Sequence, residues 1–135
     1  VLGMLHSSAK PAPIIAADDN HEKGFVTRSE MKLMFDDDKV SVTIETPAGK
    51  KFTLDEDADV ITIEDDHSNV ITMDSSGIVI ESAGDIGIKA TGDVSIEGMN
   101  VGITANAEFK AEGSAGAEVS TSAIAVLKGS LVQIN

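Results

Sequence analysis

From residue 76 onward the sequence is written in eight-residue phrases. "GIVIESA", "GDIGIKAT" and "GDVSIEG" follow one another, with Ile78, Ile86 and Val94 eight residues apart, Ile80, Ile88 and Ile96 likewise, and Gly84 and Gly92 at the same interval. Each phrase places two aliphatic residues at i and i+2, which point to the same side of an extended chain. The pairs continue as Val101/Ile103, Phe109/Ala111, Ala117/Val119, Ile124/Val126 and Val132/Ile134. Two steps, Val94 to Val101 and Ala117 to Ile124, are seven residues long. An odd step reverses which face a side chain meets, so local irregularities are expected at 98–100 and 122–124.

An eight-residue period limits the available architectures. Eight extended residues cover roughly 26 Å, enough for one strand and a corner but too little to encircle a core. A single-chain solenoid would need about three such sides per coil. The repeat section would then give fewer than three coils, with two large ends to protect. Three copies of the chain, each supplying one side of a triangular prism, solve the problem directly. Fourteen of the sixteen paired positions are Val, Ile or Phe, and fully burying such a side chain stabilises by about 1.5–3 kcal/mol. A closed prism also removes lateral strand edges. The axis of the expected trimer is therefore Ile78, Ile80, Ile86, Ile88, Val94, Ile96, Val101, Ile103, Phe109, Val119, Ile124, Val126, Val132 and Ile134. Ala111 and Ala117 narrow it. Asp85, Lys89, Asp93, Glu97, Glu108, Lys110, Glu112 and Glu118 fall between the inward positions, and Gly84, Gly92 and Gly113 stand where the chain turns corners.

The preceding residues read differently. Residues 1–24 are irregular, with Pro11, Pro13 and the polar run "DDNHEKG". The opening "VLGMLHSSAKPAP" reads as the end of a strand and a Pro-broken linker, so a segment of a longer protein is expected, with no signal peptide. Residues 25–75 read as a strand meander. "KVSVTIET" sets Val40, Val42 and Ile44 on one face, and "KFTL", "VITI" and "VITM" follow as short strands. "TPAGKK" is a turn, with Gly49 able to adopt positive φ, and the Asp-rich "DEDAD" and "DDHSN" turns suit side chains that bond their own backbone. Only 3% of residues are aromatic, so any core consists of thin aliphatic layers. The fold class expected is all-β: a meander or neck over 25–75, then an intertwined homotrimeric, triple-stranded β-helix over 76–135.

"TPAGKKFTLDEDADVITIEDDHSNVITMDSSGIVIESAGDIGIKATGDVSIEG", with the ending "AVLKGSLVQIN", resembles the C-terminal spike of VgrG-type proteins and of phage baseplate spike proteins, where a strand meander feeds a trimeric β-helix. "VLGMLHSS" is similar to the last strand of the OB-fold domain that precedes such a spike. The likeness covers nearly all of residues 25–135. It implies a needle at the tip of a contractile injection machine, namely a phage tail, a type VI secretion system or an extracellular relative, driven through a target envelope by sheath contraction. It further implies assembly in the cytoplasm with delivery outside the cell or into the target envelope, contacts with hub or tail-tube proteins through an N-terminal part, transient contact with the target membrane, and a PAAR-repeat cap protein. The expected cap-docking tip is Leu131, Val132, Gln133, Ile134 and Asn135, an uncharged run after Lys128. The His-x-His apex of some phage spikes is absent, since His6, His21 and His67 all lie well before the tip.

No catalytic, cofactor-binding or metal-ligating residue is expected, and the chain does not read as an enzyme. Absence of cysteine removes disulfides, thiolate nucleophiles and Cys-based zinc sites. A formal charge of −13 repels nucleic acid and anionic membranes. No apolar run is long enough to span a bilayer. Glu64/Asp65 and Asp55/Glu56 resemble glycosidase carboxylate pairs only by adjacency and read as solvated turns. Asp55, Asp57 and Asp59 begin like a calcium loop, but its sixth position is Val60 rather than glycine. The three histidines read as surface residues. The alternative function is a trimeric tail-fibre or adhesin stalk that binds a receptor, for which a distal binding head is expected and none is read. A single-chain lyase-type β-helix is disfavoured by length.

Overall fold

The computed structural model describes residues 11–15 and 17–134. The start "VLGMLHSS", expected to end an OB-fold domain, and Asn135 of the expected cap-docking tip lie outside the described residues. The chain divides into two units, one through Lys89 and one from Ala90. It is all-β, with no helix among the described residues.

The first unit holds seven five-residue strands: β1 (Glu22–Val26), β2 (Lys32–Asp36), β3 (Ser41–Glu45), β4 (Lys51–Asp55), β5 (Val60–Glu64), β6 (Val70–Asp74) and β7 (Gly77–Glu81). Each pairs antiparallel with the next, so spatial order equals chain order. β3 to β6 are the strands marked by period-two aliphatics. β1 starts inside the stretch that reads as irregular, and β7 takes Ile78 and Ile80 into the sheet opposite Met73 and Ile71. Val40 is a correction. It is a turn residue with φ 50°, before β3 rather than in it, because the turn after β2 uses all of 37–40.

Two kinds of turn alternate, and each has its own chemistry. At one end of the sheet, five-residue turns are closed by the first residue. Thr27, Thr46 and Asp65 donate their N–H to the carbonyls of Met31, Lys50 and Asn69 at 2.9, 2.9 and 3.1 Å. Their side-chain oxygens accept the N–H of the same three residues at 3.1, 3.1 and 2.9 Å. The fourth residue, Glu30, Gly49 or Ser68, takes positive φ. At the opposite end, an aspartate closes the strand. Asp36 Oδ1 accepts from the N–H of Asp38, Asp55 Oδ1 from Ala58, and Asp74 Oδ1 from Ser76, at 3.0, 2.9 and 2.7 Å. Thr27, Thr46 and Asp65 stand 19 residues apart, and so do Asp36, Asp55 and Asp74. The meander is thus a hairpin repeated three times.

The second unit contains no strand or helix among its described residues. Its described residues bend at 91–92, 99, 106–107, 114–115, 122–123 and 130, every seven or eight residues. Bends fall at Met99 and at 122–123, as they do at the eight-residue steps, so they do not set the two seven-residue steps apart; Thr121 Oγ1 accepts the N–H of Ala123 at 3.2 Å. Gly92 lies in a bend. Gly113 has no room for a side chain, because a Cβ there would stand 2.0 Å from the carbonyl oxygen of Gly116.

Candidate interaction surfaces

Register divides the sheet into two unlike faces. On one face, Phe25, Leu33, Ile44, Phe52, Ile63, Ile71 and Ile80 are successive cross-strand partners, beside a second column of Lys23, Phe35, Val42, Leu54, Ile61, Met73 and Ile78. Lys23 is the only polar residue of this face, at its edge. Neighbouring strands lie about 4.8 Å apart, so the columns form two continuous apolar ridges. The other face is more polar, though Val26, Met34, Val60, Val70 and Val79 also lie on it. Thr43, Thr53, Thr62 and Thr72 form its central column, and Lys32–Glu45 and Lys51–Glu64 pair at 3.3 and 3.1 Å beside it. Alternation of this sharpness marks a sheet with one face packed and one in water.

No described apolar side chain is buried within the chain. Phe25 is 70% exposed, Ile44 50% and Ile63 44%. A sheet is stable when its apolar face lies against a second layer, and no other element of this unit covers these ridges. Large exposed apolar surfaces mark interaction sites.

The eight-residue pairs of the second unit are equally uncovered. Val94, Ile96, Val101, Ile103, Phe109, Val119, Ile124, Val126 and Val132 are all exposed, as are Leu131 and Ile134 at the expected tip. In the first unit Ile86 and Ile88 are exposed too.

The turn between β5 and β6 carries the densest polar network. Asp65 accepts from the N–H groups of His67 and Asn69 and from Asn69 Nδ2, at 2.8, 2.9 and 2.7 Å. The Asn69 side chain, then these backbone donors, hold the Asp65 carboxyl down to about 2. Asp66 accepts from Lys50 Nζ at 2.6 Å and lies 3.1 Å from His67 Nδ1, and the Lys50 contact lowers its pKa. At the opposite end Lys23 bonds Asp37 and lowers that carboxyl. Asp55 is occupied in capping its turn. Among the described residues no group of three or more His, Cys, Asp or Glu side chains is placed to hold a metal ion.

Sequence reasoning did not single out Asn69 or Ser82 of this network. The signal was the change from Thr to Asp in the first position of the third turn. It becomes visible only when the turns are aligned at 19-residue intervals. In comparisons with known proteins, no family model matches the chain and no curated protein is significantly similar to it.

Proposed function

We propose that the chain is the spike of a contractile injection machine: a homotrimeric needle that sheath contraction drives through a target envelope, with a PAAR-type cap on its tip. The observation that carries this reading is the second unit. Among its described residues the chain bends every seven or eight residues, leaves its aliphatic pairs exposed and has no strand ladder of its own. Such a chain needs neighbours that supply both backbone partners and an apolar interior, and three copies wound about Ile86/Ile88, Val94/Ile96 and the following pairs supply both. The meander fits the same assembly, because its apolar ridges require a second layer. The link from trimeric needle to injection machine is the sequence resemblance of residues 25–135 to VgrG-type and phage baseplate spikes.

The resident chemistry is mechanical. A piercing shaft needs stiffness, a regular cross-section and an outer surface that does not stick. The outward Asp, Glu and Lys residues of the repeat supply such a surface. The uncharged run Leu131–Val132–Gln133–Ile134, with Leu131 80% and Ile134 90% exposed, is the surface on which the cap adds strands.

Sedimentation equilibrium of the purified chain tests the assembly, with an expected mass three times 14.0 kDa. A folded monomer would refute the needle. Co-purification with the PAAR-type protein of the same source tests the function. A trimer that binds no such cap but is retained by target-cell surfaces would be a receptor-binding stalk instead.

A further inference from the structure

The third hairpin departs from the other two in the residues of its own turn and in the shorter turn that follows it. Thr27 and Thr46 are replaced by Asp65, and Met31 and Lys50 by Asn69. The turn still closes by the same backbone bond, but the new pair gains partners outside it. Asn69 Nδ2 donates to Asp65 Oδ2 at 2.7 Å. Asn69 Oδ1 accepts from Ser82 Oγ at 2.7 Å and from the N–H of Ala83 at 3.2 Å. Ser82 Oγ in turn accepts the N–H of Gly84 at 3.1 Å. Ser82 and Ala83 are the first two residues after β7, and the chain bends at 83–84.

We propose that Asp65 and Asn69 form a clamp that fixes where and in which direction the chain leaves the sheet, with Asn69 as the positioning residue. An amide is suited to the role because it carries a donor and an acceptor on one head. Its orientation is determined on both sides. Rotated by half a turn, it would set its oxygen against the Asp65 carboxylate and its NH₂ against the N–H of Ala83. The ionised state of Asp65, held down to about 2, keeps the acceptor in place. Register brings the partners together: Val70 pairs with Glu81, so the next residues along the ladder are Asn69 and Ser82. The turn before β7 is shortened to residues 75–76, where the two earlier hairpins use 37–40 and 56–59. In the second hairpin, the residue equivalent to Asn69 is Lys50, whose Nζ reaches only the next turn, at Asp66. The specialised pair thus occurs at the one turn that faces the exit, and this holds whether or not the chain is a trimer.

Amide hydrogen exchange on the full chain tests the clamp. The double variant Asp65→Thr/Asn69→Lys rewrites the third turn in the chemistry of the second, so the turn itself has a working precedent. Loss of a hydrogen bond acceptor is expected to lower the protection factors of Ala83 and Gly84 about tenfold, while those of β5 and β6 stay within about twofold. Wild-type protection at Ala83 and Gly84 in this variant would overturn the proposal. Ser82→Ala leaves the turn untouched and removes the acceptor for Gly84, whose protection factor should fall by a similar factor; an unchanged value would count equally against the clamp. Asn69→Asp supplies a pH readout. Two facing carboxylates raise one pKa of the pair, so the proton that lets one donate to the other is present below that raised pKa and lost above it. Protection factors at Ala83 should be low at neutral pH and recover on acidification, whereas a flat profile would show that donation from residue 69 to Asp65 does not position the exit.

Discussion

Ile63 and Thr62 are neighbours in β5 and point to opposite faces of the sheet, so aspartate at each separates the covering of the apolar face from every other effect of the substitution. Each variant carries a strand-propensity penalty of at most about 1 kcal/mol, and both add the same charge. Thr62 lies between Thr53 and Thr72 in the polar column, where a carboxylate remains in water. Ile63 lies between Phe52 and Ile71 and is 44% exposed within the single chain. Covering that remainder is worth about 1 kcal/mol per copy, taking 1.5–3 kcal/mol for a fully buried Ile. Ile63→Asp loses this and also places a carboxylate in the covered layer, at an effective cost of several kcal/mol per ion. Three copies multiply the effect. Assembly of Ile63→Asp should weaken by several orders of magnitude in sedimentation at neutral pH, against less than about tenfold for Thr62→Asp. The pH dependence has a defined sign. Burial raises the pKa of the new carboxyl above about 3.9, so assembly is favoured below that value and lost as pH rises through the raised one. Equal behaviour of the two variants at all pH values would show that no protein layer covers the apolar ridges.

The phase of the eight-residue repeat is tested by Ile88→Asp, which should abolish or fray assembly, against Asp85→Ser on the outward face, which should change the molar mass and melting temperature little. Ile134→Lys should reduce capture of the PAAR-type protein at least tenfold while the trimer mass is retained; undiminished capture would remove the tip from that interface. Asp65, whose folded pKa is lowered from 3.8 to about 2, contributes stability that is present above about pH 4 and lost as pH falls through 2. Asp65→Asn should flatten this acid limb in a melting-temperature titration, and an unchanged limb would place the acid-sensitive group elsewhere.

Strands β3 to β6 were legible in sequence because each sets two large apolar residues either side of a Thr and follows them with an acidic residue, as in Val42–Thr43–Ile44–Glu45. β1 and β2 are harder to read: Lys23 interrupts the apolar face of β1, and Met34 puts an apolar residue on the polar face of β2. Val40 shows the opposite failure. It continues the alternation of Val42 and Ile44, but it takes positive φ and ends the four-residue turn after β2. The 19-residue hairpin period is hidden for a different reason. What recurs at 27, 46 and 65 is a side-chain acceptor for the N–H four residues later, and Thr and Asp both provide it. What recurs at 30, 49 and 68 is positive φ, and Glu, Gly and Ser stand there. The period is one of hydrogen-bond function, which letters record poorly. The eight-residue period is carried by large aliphatics and is correspondingly easy to see.

The two units make different demands on whatever partner completes them. Through β7, ladder pairing satisfies backbone groups between neighbouring strands, while β1 and β7 are edge strands paired on one side, and one apolar face is left uncovered. A helix, a second sheet or another apolar layer could cover it. Among the described residues from Ala90 on, the chain has no strand ladder, and every side chain is exposed. Its backbone groups need extended neighbours or water, and its aliphatic pairs need an interior from which water is excluded. Only strands can meet both needs of the second unit, and a strand partner must present aliphatic pairs at the same seven- or eight-residue steps if its corners are to stay in phase. The partner that meets this condition by construction is another copy of the same chain. In the proposed trimer, three copies would close the section of the second unit with one eight-residue side each.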